Sequence, residues 1–97
     1  MAMNGIVKDA SGTITSGGSA QTALAANTGR KFLIIQNPTT AAEDLWFSLT
    51  GAAAVDAAGS FSLAAGGAMS FEGDFLPSNA VSVIAATTGH KFTINWA

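Results

Sequence analysis

Apolar and polar residues alternate in short stretches along the chain, and glycine or small polar residues interrupt them every eight to twelve positions. Leu45, Phe47 and Leu49 fall on one face of one stretch, and Phe92 and Ile94 fall on one face of another. A period of two residues is typical of a strand with one buried and one polar face. Turns at this spacing favour an all-β fold, and we predict an antiparallel, jelly-roll-like β-sandwich of about eight or nine short strands.

The positions of the strands follow from this alternation. Gly51–Ala58 is rich in alanine but spans two helical turns at most, so we expect a loop or a single helical turn there. A chain of 97 residues has room for one hydrophobic core, and we divide it into an N-terminal arm, residues 1–12, and a single sandwich domain, residues 13–97. The predicted strands are Gly5–Lys8, Gly12–Thr15, Ala20–Ala25, Arg30–Asn37, Asp44–Leu49, Ser60–Ala64, Ala68–Glu72, Ala80–Ala86 and Lys91–Trp96.

Two segments of the sequence resemble each other. Ala25–Ile34 reads AANTGRKFLI and Ala85–Ile94 reads AATTGHKFTI, so seven of ten positions are identical. Each predicts a strand end, a tight turn with a left-handed glycine, and a new strand. One interpretation is that the chain uses one favourable hairpin turn twice. The other is that both turns, with Arg30–Lys31 and His90–Lys91, lie at one end of the sandwich and contact a common partner.

The strand that begins at Arg30 is apolar on both faces. Phe32 and Ile34 fall on one face, and Leu33 and Ile35 fall on the other. We expect Phe32 and Ile34 to point into the core, because an alternating strand buries one face.

This assignment predicts an outward apolar stripe. If the strand pairs with the next one, Leu33, Ile35 and Trp46 lie together on the outside of one sheet. Such patches usually mark interfaces, and tryptophan is a frequent anchor there. The alternative is that the N-terminal segment, with Ile6 and Val7, folds over the stripe within the same chain.

The composition favours a protein whose surface is covered by neighbours. Alanine, glycine, threonine and serine together occupy 50 of 97 positions, and only 10% of residues are charged, against about 25% in ordinary soluble domains. A net charge of −2 argues against autonomous binding to nucleic acid. The chain has no cysteine and no apolar run long enough to span a membrane, and we expect that its N-terminal residues do not form a signal peptide.

The residues that could carry chemistry are few and scattered. His90 is the single histidine, and the chain lacks a G-x-S-x-G motif, so we predict no catalytic site. Glu43 with Asp44, and Glu72 with Asp74, are best interpreted as solvated loop acids rather than as a calcium site or a glycosidase pair. We predict no metal, no cofactor and no enzymatic activity.

The order of several motifs resembles small β proteins encoded among the virion genes of tailed bacteriophages. In that family a strand ending in I-Q-N-P is followed by D-L-W/Y, then by an L-x-P/A-G-G segment and a closing V-S-V-I hairpin. The matching stretches here are RKFLIIQNPTT, DLWFSL, SFSLAAGGAMSFEG and FLPSNAVSVIAATTGHKFT, and the resemblance covers roughly Ala20 to Trp96. Ala65 stands where family members often have proline, a departure confined to a turn.

The resemblance implies a capsid decoration protein, also called a cement protein, or the base of a head fibre. Its partners would be the major capsid protein and further copies of itself, as a homotrimer or homodimer, on the outer capsid surface of a virion assembled after synthesis in the host cytoplasm. The alternatives are a tail- or neck-associated module and a module that binds host glycans. The residues that we predict to contact partners are Ile6, Val7, Arg30, Leu33, Ile35, Trp46 and His90.

Overall fold

The computed structural model describes residues 6–73 and 76–97, and within these ranges the chain forms nine short strands and no helix. The predicted all-β class is therefore confirmed. The predicted first strand begins at Gly5, outside the described residues, and pairing starts at Lys8. The strands are β1 (Lys8–Asp9), β2 (Gly12–Thr13), β3 (Gln21–Leu24), β4 (Leu33–Gln36), β5 (Leu45–Ser48), β6 (Phe61–Leu63), β7 (Ala68–Phe71), β8 (Val81–Ile84) and β9 (Lys91–Trp96).

The strands form two antiparallel sheets. The first sheet has the order β1–β9–β4–β7, with β2 also paired to β9, and the second has the order β3–β8–β5–β6. The chain changes sheet at every connection from β2 onward except the one between β5 and β6. This alternation is the topology of a jelly roll whose first strand is divided into β1 and β2, and it confirms the predicted jelly-roll-like sandwich.

The core lies between the two sheets and consists of side chains that alternate along the strands. Phe47 of β5 and Ile94 of β9 are fully buried, and Phe61 stacks on Phe47 with 5.5 Å between ring centroids. Burying an aliphatic or aromatic side chain of this size stabilises the fold by about 1.5–3 kcal/mol. The buried cluster comprises Ile14, Leu24, Leu33, Ile35, Leu45, Phe47, Leu63, Val81, Val83, Ala85, Phe92 and Ile94.

The predicted orientation of β4 is wrong. Leu33 and Ile35 point into the core with 0% and 1% of their surface exposed, whereas Phe32 and Ile34 are half-buried. The reason is that β4 pairs with β9 and β7 rather than with β5, and Ile35 lies opposite the core residue Ile94. The predicted outward stripe of Leu33, Ile35 and Trp46 therefore does not exist.

The outer face of the second sheet is covered by the chain's own loop between β5 and β6. The Ala53 N–H donates to the Ser82 hydroxyl at 2.9 Å, and Ala53 itself is buried. Ser82 and Ile84 of β8 are consequently buried although their side chains alternate with the core residues of that strand. Gly51–Ala58 forms a loop, as predicted.

The two similar segments form equivalent connections between the sheets. Each leaves the second sheet, from β3 or β8, and enters the first, at β4 or β9. The Arg30 N–H donates to the Asn27 carbonyl and the His90 N–H donates to the Thr87 carbonyl, so a hydrogen-bonded four-residue turn occurs at the same point of both segments. It joins different sheets and is therefore not a hairpin. Gly89 has a φ of 87°, as predicted, but Gly29 is not in the left-handed region.

The two turns lie at opposite ends of the sandwich. Because β3 pairs antiparallel with β8 and β4 pairs antiparallel with β9, the equivalent segments are related by a local two-fold axis. Arg30 precedes β4 beside the end of β9, whereas His90 precedes β9 beside the end of β4. The interpretation that these two turns lie at one end of the sandwich is therefore wrong.

The orientation of β4 can be tested with two alanine substitutions on adjacent residues. Leu33→Ala should lower the free energy of unfolding by about 2–5 kcal/mol because it leaves a cavity in the core. Ile34→Ala, which removes a half-buried side chain, should lower it by about 1 kcal/mol. Urea denaturation followed by tryptophan fluorescence measures both, and a larger loss for Ile34→Ala would contradict the observed orientation.

Candidate interaction surfaces

Asn37 lies one residue beyond β4, and its side chain is completely buried. Its Nδ2 donates to the carbonyl oxygens of Glu43 and Leu63, both at 2.9 Å. A buried polar group without a partner costs about 1–3 kcal/mol, so these bonds fix the loop before β5 and the end of β6 against β4.

His90 completes the bonding of that amide. Its Nε2 lies 2.7 Å from the Asn37 Oδ1. Since both amide hydrogens of Asn37 are used on carbonyls, Oδ1 is the acceptor and the His90 Nε2 carries the proton. The Nδ1 lies 3.8 Å from the Glu43 Oε2, and the side chain of His90 is 6% exposed. Both ring nitrogens thus face groups of the same chain, and His90 is not presented to a partner.

Glu43 connects this network to the turn before β9. Its Oε2 accepts from the backbone N–H groups of Ala86 at 2.6 Å and Thr87 at 3.1 Å, and its Oε1 accepts from the Thr87 hydroxyl. The bond from the Thr87 hydroxyl, helped by the two backbone bonds and the neighbouring His90, holds the pKa of Glu43 below its ordinary value, against a smaller opposing effect of burial. We call Asn37, Glu43, Thr87 and His90 the Asn37 network.

Arg30 occupies the equivalent position at the opposite end of the sandwich. Its guanidinium donates to the carbonyls of Pro77 at 2.7 Å, Asn79 at 3.1 Å and Ala25 at 2.9 Å. The residue is 6% exposed, and burial lowers the pKa of its guanidinium. Arg30 therefore holds the loop before β8 against the end of β3, and its charge is turned inward.

Ile6 and Val7 are the predicted contact residues that the structure leaves open to solvent. They are 82% and 57% exposed and directly precede β1. Lys8 is held at the end of β9, with its Nζ 4.5 Å from the centroid of the Trp96 ring, a cation–π distance. Residues 1–5 of the predicted arm lie outside the described residues, and from Lys8 onward the arm pairs with β9.

Trp46 is half-buried on the outer face of the second sheet, close to the Asn37 network but remote from Ile6 and Val7. It lines a depression of about 220 Å³ whose rim carries three carboxylates and the exposed Val55. The lining residues are Glu43, Asp44, Trp46, Val55, Asp56 and Ala86.

A wider groove of about 450 Å³ runs beside β3 on the same face. Small and polar residues line it, and Leu49 is the largest apolar residue among them. The lining residues are Ala20, Gln21, Thr22, Ala26, Leu49, Thr50, Gly51, Ala52, Asn79, Ala80 and Ser82.

Within residues 6–73 and 76–97, no group of three histidine, cysteine, aspartate or glutamate side chains could hold a metal ion. None of the secondary structure in these ranges is a helix long and apolar enough to cross a membrane. No family model, no curated protein and no solved structure matches this chain.

The residue that organises this end of the molecule, Asn37, was not singled out from the sequence. A signal was present, because Asn37 shares its face of the strand with Leu33 and Ile35. A polar residue at a core position requires hydrogen-bond partners within the protein. For Asn37 these include Glu43, which is near in sequence, and His90, which is distant in sequence. Their convergence depends on the pairing of β4 with β9, which the pattern of a single strand does not encode.

The lowered pKa of Glu43 predicts acid sensitivity. A carboxylate whose folded pKa lies below its unfolded value stabilises the fold above the unfolded value, near pH 4.5, and this contribution is lost as the pH falls through the folded pKa. Wild-type protein should therefore lose melting temperature below about pH 4.5 more steeply than Glu43→Gln. Thermal unfolding between pH 2.5 and 7 measures this. Glu72→Gln, at an exposed position after β7, is the control and should follow the wild type.

Proposed function

We propose that this protein is a non-enzymatic structural protein of a tailed-bacteriophage virion, which binds the outside of the capsid lattice and stabilises it as a decoration, or cement, protein. The observation that carries the proposal is the exposed apolar pair Ile6–Val7, held at the margin of a rigid jelly roll by the anchored Lys8. The low content of charged residues, 10%, and the family resemblance of the motifs around Asn37 support it.

The mechanism is the addition of many small interfaces across a lattice. Each copy needs only a modest contact, because many copies act on one shell and their effects combine. Ile6 and Val7 directly precede β1, so the segment that includes them can add a strand to an exposed sheet edge of a neighbouring protein. Backbone hydrogen bonds would supply affinity, and the two apolar side chains would fill pockets beside the edge.

The proposed partners are the major capsid protein and further copies of this chain, as a homotrimer or homodimer. The proposed location is the outer capsid surface, after synthesis in the host cytoplasm. A position on the tail or neck would use the same exposed pair, and labelling of intact virions separates the two locations.

Binding to shells that lack the protein tests this function. Wild-type protein should saturate such shells and raise their melting temperature. The double variant Ile6→Asp with Val7→Asp should lose at least about tenfold in affinity, since it places charges in an apolar contact, while its own melting temperature stays unchanged because both side chains are exposed.

The control is Val55→Asp, which introduces one carboxylate, half the charge of the double variant, at a side chain that is 45% exposed in another part of the surface. It should bind shells like the wild type. If wild-type protein ignores shells, or if Val55→Asp is impaired as strongly as the double variant, the role of Ile6 and Val7 in capsid binding is contradicted.

A second candidate function is suggested by the depression at Trp46. An aromatic ring beside carboxylates is a common arrangement for binding a sugar, because the ring packs against the apolar face of the pyranose and the carboxylates accept hydrogen bonds from its hydroxyls. Asp44 and Asp56 are exposed at this rim. A host-glycan-binding role would therefore use Trp46 rather than Ile6 and Val7.

A glycan array distinguishes this candidate from capsid binding. Under the glycan-binding hypothesis wild-type protein should bind a defined sugar, and Trp46→Ala should lose at least about tenfold in affinity while retaining the β-sheet circular dichroism spectrum. The Ile6→Asp, Val7→Asp double variant should bind as the wild type does. Equal glycan binding by wild type and Trp46→Ala would contradict a site at this depression.

A further inference from the structure

The two sides of the sandwich differ in how their edge strands are protected. On one side, β1 carries Lys8 and Asp9, the edge is divided into the two-residue strands β1 and β2, and the pairing of β3 shifts register between Thr22 and Leu24. Charges, bulges and short strands are the devices by which proteins prevent edge-to-edge pairing. On the other side, β6 is protected only by its length of three residues.

The edge strand β7 has none of these devices. It reads Ala68-Met69-Ser70-Phe71, without charge or proline, and it pairs with β4 over all four residues without a register shift. Met69 and Phe71 pack against the core but remain half-buried, while the side chains of Ala68 and Ser70 are exposed. A regular, uncharged edge of this kind is a template for another strand.

The backbone groups that β7 offers follow from the hydrogen-bond alternation. Phe32 and Ala97 exchange both backbone bonds, so the even-numbered residues of β4 bond to β9 and the odd-numbered ones to β7. The hydrogen bond from the Asn37 N–H to the Gly67 carbonyl agrees with this alternation, because Asn37 is odd-numbered and bonds on the β7 side. Met69 and Phe71 therefore bond to β4, and the N–H and C=O groups of Ala68 and Ser70 point away from the sheet.

We infer that β7 pairs antiparallel with β7 of a second copy of this chain, about a two-fold axis at Met69. In this register Ala68 of each copy lies opposite Ser70 of the other, so the outward groups of both residues form four interchain hydrogen bonds. The strand can pair with a second copy of itself, because Ala68 and Ser70, whose backbone groups point outward, are placed symmetrically about Met69.

The side chains fit the same register. Met69 lies opposite the second copy's Met69 on the core face, and small side chains lie opposite each other on the outer face. Phe71 lies opposite the second copy's Gly67, and an aromatic ring over a cross-strand glycine is a favourable pair. The two copies of Glu72 lie at opposite ends of the paired segment, so the only charged residue adjoining the strand meets no like charge.

This arrangement closes at two copies, because the other side of each sandwich is protected. It specifies which strands join the copies in the self-association of the proposed function, and it rests on that part of the proposal alone. Capsid binding is not needed for it, so a failure of shell binding and a failure of dimer formation are separate results.

Light scattering on purified protein should give a mass twice that of the 9.7 kDa chain. Ser70→Pro should raise the dissociation constant of the dimer by about tenfold to a hundredfold, because each copy loses one outward N–H hydrogen bond across the interface. The substitution leaves the bonds to β4 intact, since proline is tolerated where an edge N–H faces solvent. A monomeric wild type at millimolar concentration would overturn the inference.

Cysteine cross-linking tests the register without relying on the fold of a proline variant. The chain has no cysteine, so Met69→Cys introduces a single thiol. Its Cα should lie about 4.5 Å from its mate, within the disulfide range of about 4.4–6.8 Å, and oxidation should give a covalent dimer. Ser70→Cys, whose mate lies diagonally at about 7–8 Å, and Ser62→Cys on β6 are the matched controls. Stronger cross-linking at either control position than at Met69 would overturn the Met69-centred pairing.

Discussion

A single buried amide holds together one end of this sandwich. Asn37 bonds to the loop before β5, to the end of β6 and to the turn before β9, while it extends the pairing of β4 toward Gly67. The segments that it joins belong to both sheets. Because every polar atom of the side chain has a partner, the amide stabilises a single arrangement of these segments rather than only adding to the core. The register that places Leu33 and Ile35 inside depends on the same arrangement.

Arg30 has the corresponding role at the other end, and the local two-fold axis explains why. The repeated segment places a polar residue directly after the turn glycine in both places, and each of these side chains points inward to groups of the loops around it. The middle of the molecule is held by apolar packing and its ends by hydrogen bonds to the backbone. Consequently the ionisable side chains of Arg30 and His90 stabilise the fold rather than face solvent. The surface that remains for partners consists of small residues, exposed apolar side chains and strand edges.

The period-two alternation was sufficient to predict the fold class, the number of strands and inward-facing residues such as Leu45, Phe47, Phe92 and Ile94, because one apolar face per strand leaves little choice. It failed for β4, where both faces are apolar and the neighbouring strands decide which face is buried. The similarity of Ala25–Ile34 to Ala85–Ile94 revealed a repeated turn but not the antiparallel relation that puts the copies at opposite ends. The Asn37 network could not be predicted from the sequence for the same reason, since Glu43 and His90 meet only through pairing between strands distant in sequence.

The position of β9 has a consequence for how the chain folds. It is the last strand in chain order, yet it lies inside the first sheet, between β4 and the strands β1 and β2. Nearly all strand contacts other than the β5–β6 hairpin join segments distant in sequence, and loop-closure entropy makes such pairings slow. The strands that emerge first from the ribosome therefore wait for the final one, with β4 exposed on one edge until β9 arrives. The loops between these strands contain few large apolar residues, which limits aggregation of the chain while β4 is still unpaired with β9.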